Sequence, residues 1–170
     1  MKRVAQFEKV SFENFLKSWI DEFGGSEESV KGIYNSIALP KRATSGSAGY
    51  DINAPVDLTV KPGETVKIPT GIRCRISDGW VLKIYPRSGL GFKYRLQLNN
   101  TVGIIDSDYY YSDNEGHIFI KITNDSNEDK TVEIKAGTGF AQGIFVEYGI
   151  TFDDDATQIR NGGFGSTTKQ

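Results

Sequence analysis

Cysteine and histidine are almost missing from this chain: its 170 residues hold one of each, Cys74 and His117. A lone cysteine cannot close an internal disulfide, and a zinc site built on Cys and His ligands is excluded along with it. A nucleophilic triad turning on histidine has no obvious partner set either. Any metal must therefore be a hard cation held by carboxylates or by a substrate's own oxygens. Positive charge is not in excess, with 20 Lys and Arg against 22 Asp and Glu and a formal net charge of −2. That balance gives no overall signature of direct nucleic-acid binding. No apolar run approaches membrane-spanning length and no signal-peptide pattern opens the sequence, so a cytoplasmic protein is expected. Internal repeats are absent as well.

What remains is ordinary globular usage, 38% hydrophobic and 25% charged, which reads as a single domain over residues 1–170. Short alternating runs punctuated by turn residues dominate. Val56 to Val60 alternates, Lys61-Pro62-Gly63-Glu64 turns, and Thr65 to Ile68 alternates again. Gly71 to Ile76, Trp80 to Tyr85, His117 to Ile122, Thr131 to Ile134 and Ile144 to Val146 continue the series. β-Branched and aromatic residues at this spacing predict an all-β sandwich, jelly roll or barrel. Cys74 falls inside one of these strands and reads as a small packing residue.

One segment departs from the pattern. Phe12, Phe15, Leu16, Trp19, Ile20 and Phe23 lie on one face of a helix, with Ser11 placed to cap its start and Gly24-Gly25 to end it. Ser26 to Ile33 adds a second short helical stretch, so 11–33 reads as a helical insertion after a first strand at about Lys2 to Val10. The aromatic stripe suits packing on the chain's own core. A docking face for a protein partner on the 11–23 helix is the alternative.

Chemistry concentrates in four stretches. Ser45-Gly46-Ser47-Ala48-Gly49-Tyr50-Asp51 is a glycine-flanked segment ending in a carboxylate. Tyr85-Pro86-Arg87-Ser88-Gly89-Leu90-Gly91 places an arginine and a hydroxyl in a loop with free backbone N–H groups, an arrangement that suits phosphate. It has neither Walker A nor G-x-G-x-x-G spacing. Asn99-Asn100-Thr101-Val102-Gly103-Ile104-Ile105-Asp106-Ser107-Asp108-Tyr109 sets Asp106 beside an apolar run, where a carboxylate that reaches a water can act as a general base. The fourth is the tail from Arg160 to Thr168, Arg-Asn-Gly-Gly-Phe-Gly-Ser-Thr-Thr. Glycines free its backbone, Arg160 offers a fork for phosphate, and Phe164 offers a flat face for a ring. It reads either as a frayed terminus or as a flap over something aromatic and phosphorylated, such as a nucleotide.

Taken in order, and with Gln142 between the third and the fourth, these stretches resemble the five motifs of the dUTPase family, most closely its homotrimeric all-β type. The resemblance covers about residues 37 to 168. It implies a jelly-roll-like β-barrel, with a flexible C-terminal arm from about 153 to 170, that hydrolyses dUTP to dUMP and pyrophosphate with Mg²⁺ on the triphosphate. That reaction limits uracil incorporation into DNA and supplies dUMP for dTMP synthesis. Carried over by position, Asp51 holds the metal through water and Arg87, Ser88 and Gly89 form a phosphate loop. Asp106 activates the attacking water, and Tyr109 packs under the deoxyribose. Asn100, Thr101, Gly103, Ile104 and Ile105 belong to the uracil-reading hairpin. Gln142 lies near the phosphate chain, Arg160 binds the γ-phosphate, Phe164 covers uracil, and Gly165, Ser166 and Thr167 add phosphate donors. The family's trimer shares each site between subunits.

Three departures from the family pattern stand out. The fourth motif usually reads Gly-Asp-Arg-x-x-Gln, but here Gly139 stands at the arginine position. Tyr110 to Glu115 lengthens the turn after Tyr109 and reads as a longer hairpin at the pocket rim. Thr168 stands where glycine is common. Deamination of dCTP, an activity found on the same fold, calls for a glutamate on the strand after the hairpin, and His117 to Ile122 has none. A nucleotide-gated binding or regulatory protein is the reading from a different class.

Overall fold

A computed structural model describes residues 1–158 and Arg160. From the N-terminus run β1 (Ala5–Lys9), α1 (Phe12–Phe23), α2 (Glu27–Ser36), β2 (Lys41–Arg42), β3 (Tyr50–Asn53), β4 (Leu58–Val60), β5 (Thr65–Pro69) and β6 (Ile72–Ile76). Then come β7 (Trp80–Pro86), α3 (Ser88–Tyr94), β8 (Leu96–Leu98), β9 (Gly103–Ile105), a 3₁₀ turn at Ser107–Tyr111, β10 (Phe119–Asn124), β11 (Val132–Ile134) and β12 (Gly139–Glu147).

The strands form a five-stranded sheet in the order β2-β3-β12-β7-β9, a three-stranded sheet β5-β10-β8, and the pairs β11-β4 and β1-β6. Every pairing is antiparallel, as short hairpin-linked strands require. The result is jelly-roll-like, although the ladders do not run on into one closed barrel. Alternation sets the inward face: Ile72, Cys74 and Ile76 on β6, and Ile120 and Ile122 on β10, join Ile68, Leu82, Ile84 and Phe140 in one core. Burial pushes the Cys74 thiol up to about 12, consistent with a packing role. Asn124 closes the inward row of β10 as a fully buried amide. It donates to Val60 O and Lys130 O, each at 2.9 Å, and accepts from the Ser126 N–H.

The two helices fold back on this core. Ser11 Oγ accepts the Asn14 N–H at 3.2 Å, and Gly24, at φ +69°, closes α1 by donating to Ile20 O. Phe15 and Trp19 are buried with Val10 and Val30 in a second cluster, each large side chain contributing about 1.5–3 kcal/mol. Ile20 and Phe23 stay exposed at the edge of the stripe. The second helix runs to Ser36, beyond the expected Ile33, because the apolar positions Val30, Ile33 and Tyr34 keep facing α1. Between β5 and β6, Gly71 holds φ +69°, and a Cβ there would lie 2.4 Å from Ile37 Cδ1 and 3.1 Å from Phe15. Only glycine lets the helices approach so closely.

One expectation needs correcting. The glycine-flanked segment turns at Ser45-Gly46 and then enters β3, where Tyr50 packs between Phe7 and Phe145 at centroid distances of 5.5 and 5.6 Å. The loop expected after Pro86 is the helix α3, which buries no side chain.

Candidate active site

The turn joining β8 to β9, which pair with β10 and β7 and not with each other, makes one wall of a cavity of ≈ 690 Å³. Thr101 turns the chain at φ +64°, and the Thr101 N–H donates to Leu98 O at 2.9 Å. Past the turn, β9 pairs with β7 so that Gly103 faces Ile84 and Ile105 faces Leu82. Gly103 is pressed against β7, where a Cβ would stand 3.1 Å from that of Ile84. Asn100, Gly103, Ile104, Ile105, Asp106 and Tyr109 all line the cavity, as does Arg160. Thr101 shapes the turn without lining the cavity. Sequence reasoning missed Lys67, Phe119 and Lys121, which also line it. They come from β5 and β10, and no local motif marks them.

Asp106 stands where β9 passes into the 3₁₀ turn. Its carboxylate takes a 2.7 Å hydrogen bond from Arg160 Nη2, while Arg160 Nε stands 3.4 Å from Asp108 Oδ1 without a hydrogen bond. The guanidinium carbon lies 6.0 Å from the Tyr109 ring centroid. Tyr109 is buried, its hydroxyl donating to His117 O at 2.7 Å and accepting from Asn114 Nδ2 at 2.8 Å. Burial pushes this phenol above its ordinary range, so it stays neutral, and the two hydrogen bonds orient it.

A second group of sequence-selected residues lies elsewhere. On β3 and β12, Asp51 faces Gln142 across the ladder, and Gln142 faces Tyr85 on β7. Arg87 Nε stands 3.5 Å from Asp51 Oδ1. Gln142 donates a long 3.4 Å bond to Pro86 O and leaves no room for a Cβ on Gly49, which would sit 2.6 Å from Gln142 Oε1. Ser88 and Gly89 open α3, and the first N–H groups of a helix have no partner within it. Gly139 acquires a reason here: a Cβ there would come within 3.1 Å of Arg87 Cδ and Nη1 and 3.3 Å of Asp51 Cβ. The Arg87 side chain fills the space that a side chain at 139 would take.

One chain does not bring the two groups together. Asp106 is one residue past the Ile105–Leu82 pair, level with Val81, whereas Arg87 lies beyond the far end of β7. Six residues of strand put them about 20 Å apart along β7. Phe164, Gly165, Ser166 and Thr167 lie outside the described residues. Among the described residues, no group of three or more His, Cys, Asp or Glu side chains is gathered to hold a metal, and no helix is long and apolar enough to cross a membrane.

The dUTPase family model matches residues 35–168. The chain belongs to the dUTPase family. Curated relatives include the deoxyuridine 5'-triphosphate nucleotidohydrolases of Lactococcus lactis, 44% identical over 77% of this chain and 88% of that one, and of Haemophilus influenzae, 41% identical over 81% and 92%. Among solved structures, a Streptococcus mutans dUTPase superposes with a TM-score of 0.62 at 34% identity, covering 85% of this chain and 97% of that one. A Staphylococcus bacteriophage 80alpha dUTPase bound to dUpNHpp shares the fold at a TM-score of 0.63 and 20% identity, over 92% of this dUTPase and 98% of the phage chain.

Proposed function

We propose that this enzyme hydrolyses dUTP to dUMP and pyrophosphate by water attack on the α-phosphorus. The observation that carries the reading is the cavity beside β9, where a backbone turn, a buried tyrosine ring and a carboxylate converge. The backbone from Asn100 to Ile105 reads the uracil edge, since fixed donors and acceptors reject cytosine by leaving buried groups unpaired. Tyr109 is the floor beneath deoxyribose, and its ring leaves no space for a 2′-hydroxyl. Phe164 stacks on the base, worth about 1–3 kcal/mol.

Asp106 is the general base that takes the proton from the attacking water. Its 2.7 Å pair with Arg160 has to open for this, and the freed guanidinium then turns to the γ-phosphate. Arg87, Ser88, Gly89 and Gln142 hold the phosphate chain, with Gly165, Ser166 and Thr167 closing over it. Asp51 is an oxygen donor beside that chain. A single protein carboxylate fits Mg²⁺, which keeps several waters and takes phosphate oxygens as ligands. The ion supplies charge neutralisation on the triphosphate. A phage phi11 dUTPase of similar fold coordinates a structural Mg(II) ion.

A general base and a phosphate loop about 20 Å apart along one strand cannot serve the same α-phosphorus. A homotrimer solves this by docking the β9 cavity of one subunit on the Asp51–Arg87 group of another, with the C-terminal arm closing the joint site.

The test is incubation with dUTP and Mg²⁺, reading dUMP and pyrophosphate. Asp106→Asn should keep binding of a non-hydrolysable dUTP analogue and lose at least about a hundredfold in turnover. No dUTP turnover, or equal turnover of dTTP and dCTP, overturns the reading.

A further inference from the structure

The stretch ahead of the family match, residues 1–34, grips the segment that carries Tyr109. Ser11 donates both its N–H and its hydroxyl to the Glu115 carboxylate, at 2.7 and 2.6 Å. This is a capping box made in trans. In the usual form, the third residue of the helix supplies a Glu or Gln that reaches back to the capping N–H. Here that residue is Asn14, and Glu115 takes the role from 104 positions away. Asn14 is free to turn its Oδ1 to His117 Nδ1 at 3.2 Å. His117 Nε2 accepts the Gly71 N–H at 2.8 Å, which fixes the proton on Nδ1. Three residues before Ser11, Glu8 accepts a 2.7 Å bond from Tyr110 OH and pairs with Arg73 at 3.0 Å, whose guanidinium covers the Tyr110 ring.

The gripped segment is the one that fixes the floor of the cavity. Tyr109 OH bonds to His117 O and to Asn114 Nδ2, and Asn114 in turn accepts the Gly116 N–H and receives the His117 N–H on its carbonyl. Gly116 at φ +69° permits this tight return, since a Cβ there would lie 2.7 Å from Tyr110 Cα. Glu115 itself is held at φ +59°, a conformation that side-chain-bearing residues seldom adopt. Its N–H bond to Ser112 O at 2.7 Å and its carboxylate's two bonds from Ser11 hold it there.

We infer that Glu115 and Ser11 are positioning residues for sugar selection. By tying the N-terminal helix to the 109–117 segment, they set the height of the Tyr109 ring, and so decide how tightly deoxyribose is held and how firmly ribose is refused. The inference rests on Tyr109 being the sugar floor.

The experiment compares Ser11→Ala, Glu115→Ala, the double variant and Ser11→Thr in the full chain, measuring kcat and KM for dUTP and UTP beside thermal melts. Each alanine variant should raise KM for dUTP at least fivefold with kcat changed less than twofold, and lower the dUTP-over-UTP ratio of kcat/KM at least fivefold. The double variant should be no worse than Glu115→Ala, and Ser11→Thr, which keeps both donors, should match the parent. Should Glu115→Ala fail to fold, Ser11→Ala decides alone. A lowered melting temperature with KM and the sugar ratio within twofold of the parent overturns the inference and leaves the grip purely structural. Failure of the underlying reading is separately visible: Tyr109→Ala would then leave the sugar ratio unchanged, and the inference falls with it.

Discussion

Acid should loosen this fold through its single histidine before it does so through the carboxylates. His117 is fully buried between Phe15 and Phe119. Burial is the larger influence and depresses its pKa from 6.5 to about 4, against a smaller upward pull from Glu115. The folded chain thus holds a neutral ring where the unfolded chain binds a proton below pH 6.5. Stability from this group is present above pH 6.5, falls as the pH drops, and stops changing below about 4. The full cost is roughly 3 kcal/mol at about 1.4 kcal/mol per unit, of which about 2 kcal/mol falls between pH 7 and pH 5. Glu8 and Glu115 also have depressed pKa values, but both titrate below that window. The assay is urea unfolding at pH 7 and pH 5 at fixed protein concentration, followed by tryptophan fluorescence. The reference is His117→Gln, whose amide can accept from Gly71 and donate to Asn14 without titrating. The parent should lose about 2 kcal/mol more than the variant over the window. With one histidine in the chain, its ring also gives a single NMR titration. Parallel losses in parent and variant, or a folded-state titration near 6.5, would refute the argument.

Gly71→Ala should cost at least about 2–3 kcal/mol, from an unfavourable φ and a Cβ driven into Ile37 and Phe15, read as a fall in the urea midpoint. Asn124→Ala should cost about 1–3 kcal/mol, because the buried contact with the Val60 carbonyl loses its amide donor; the same urea midpoint checks it. Gly139→Arg, which restores the residue usual in the family, should displace Arg87 and raise KM for dUTP several-fold, with kcat less affected, in steady-state kinetics.

The strands and the first helix were legible because each writes its burial into a local period: alternation in Ile72, Cys74 and Ile76, and a three-to-four spacing from Phe12 to Phe23. α3 was not, since it buries nothing and carries Gly89 and Gly91, residues that oppose a helix. The insertion after Tyr109 read as a longer hairpin because the residue that bonds its Glu115, Ser11, lies 104 positions away and nothing local points to it. The site motifs were legible as residue types in an order that resembles the dUTPase family, and the match over residues 35–168 bears out the family. What could not be read was their spatial division, which follows from the register of β7 against β9. Nor could the pairing of Arg160 with Asp106 be read, because it joins the arm to a loop 54 residues earlier.

The distance along β7 has a genetic consequence. On the proposed assignment, each chain gives its general base to one site and its phosphate loop to another. A chain lacking Asp106 and a chain lacking Arg87 would each be inert alone, yet assembled together they would contain sites in which an intact carboxylate meets an intact loop. Two dead alleles would then complement within the mixed assembly, and a single defective allele would spoil sites that belong in part to its healthy neighbours.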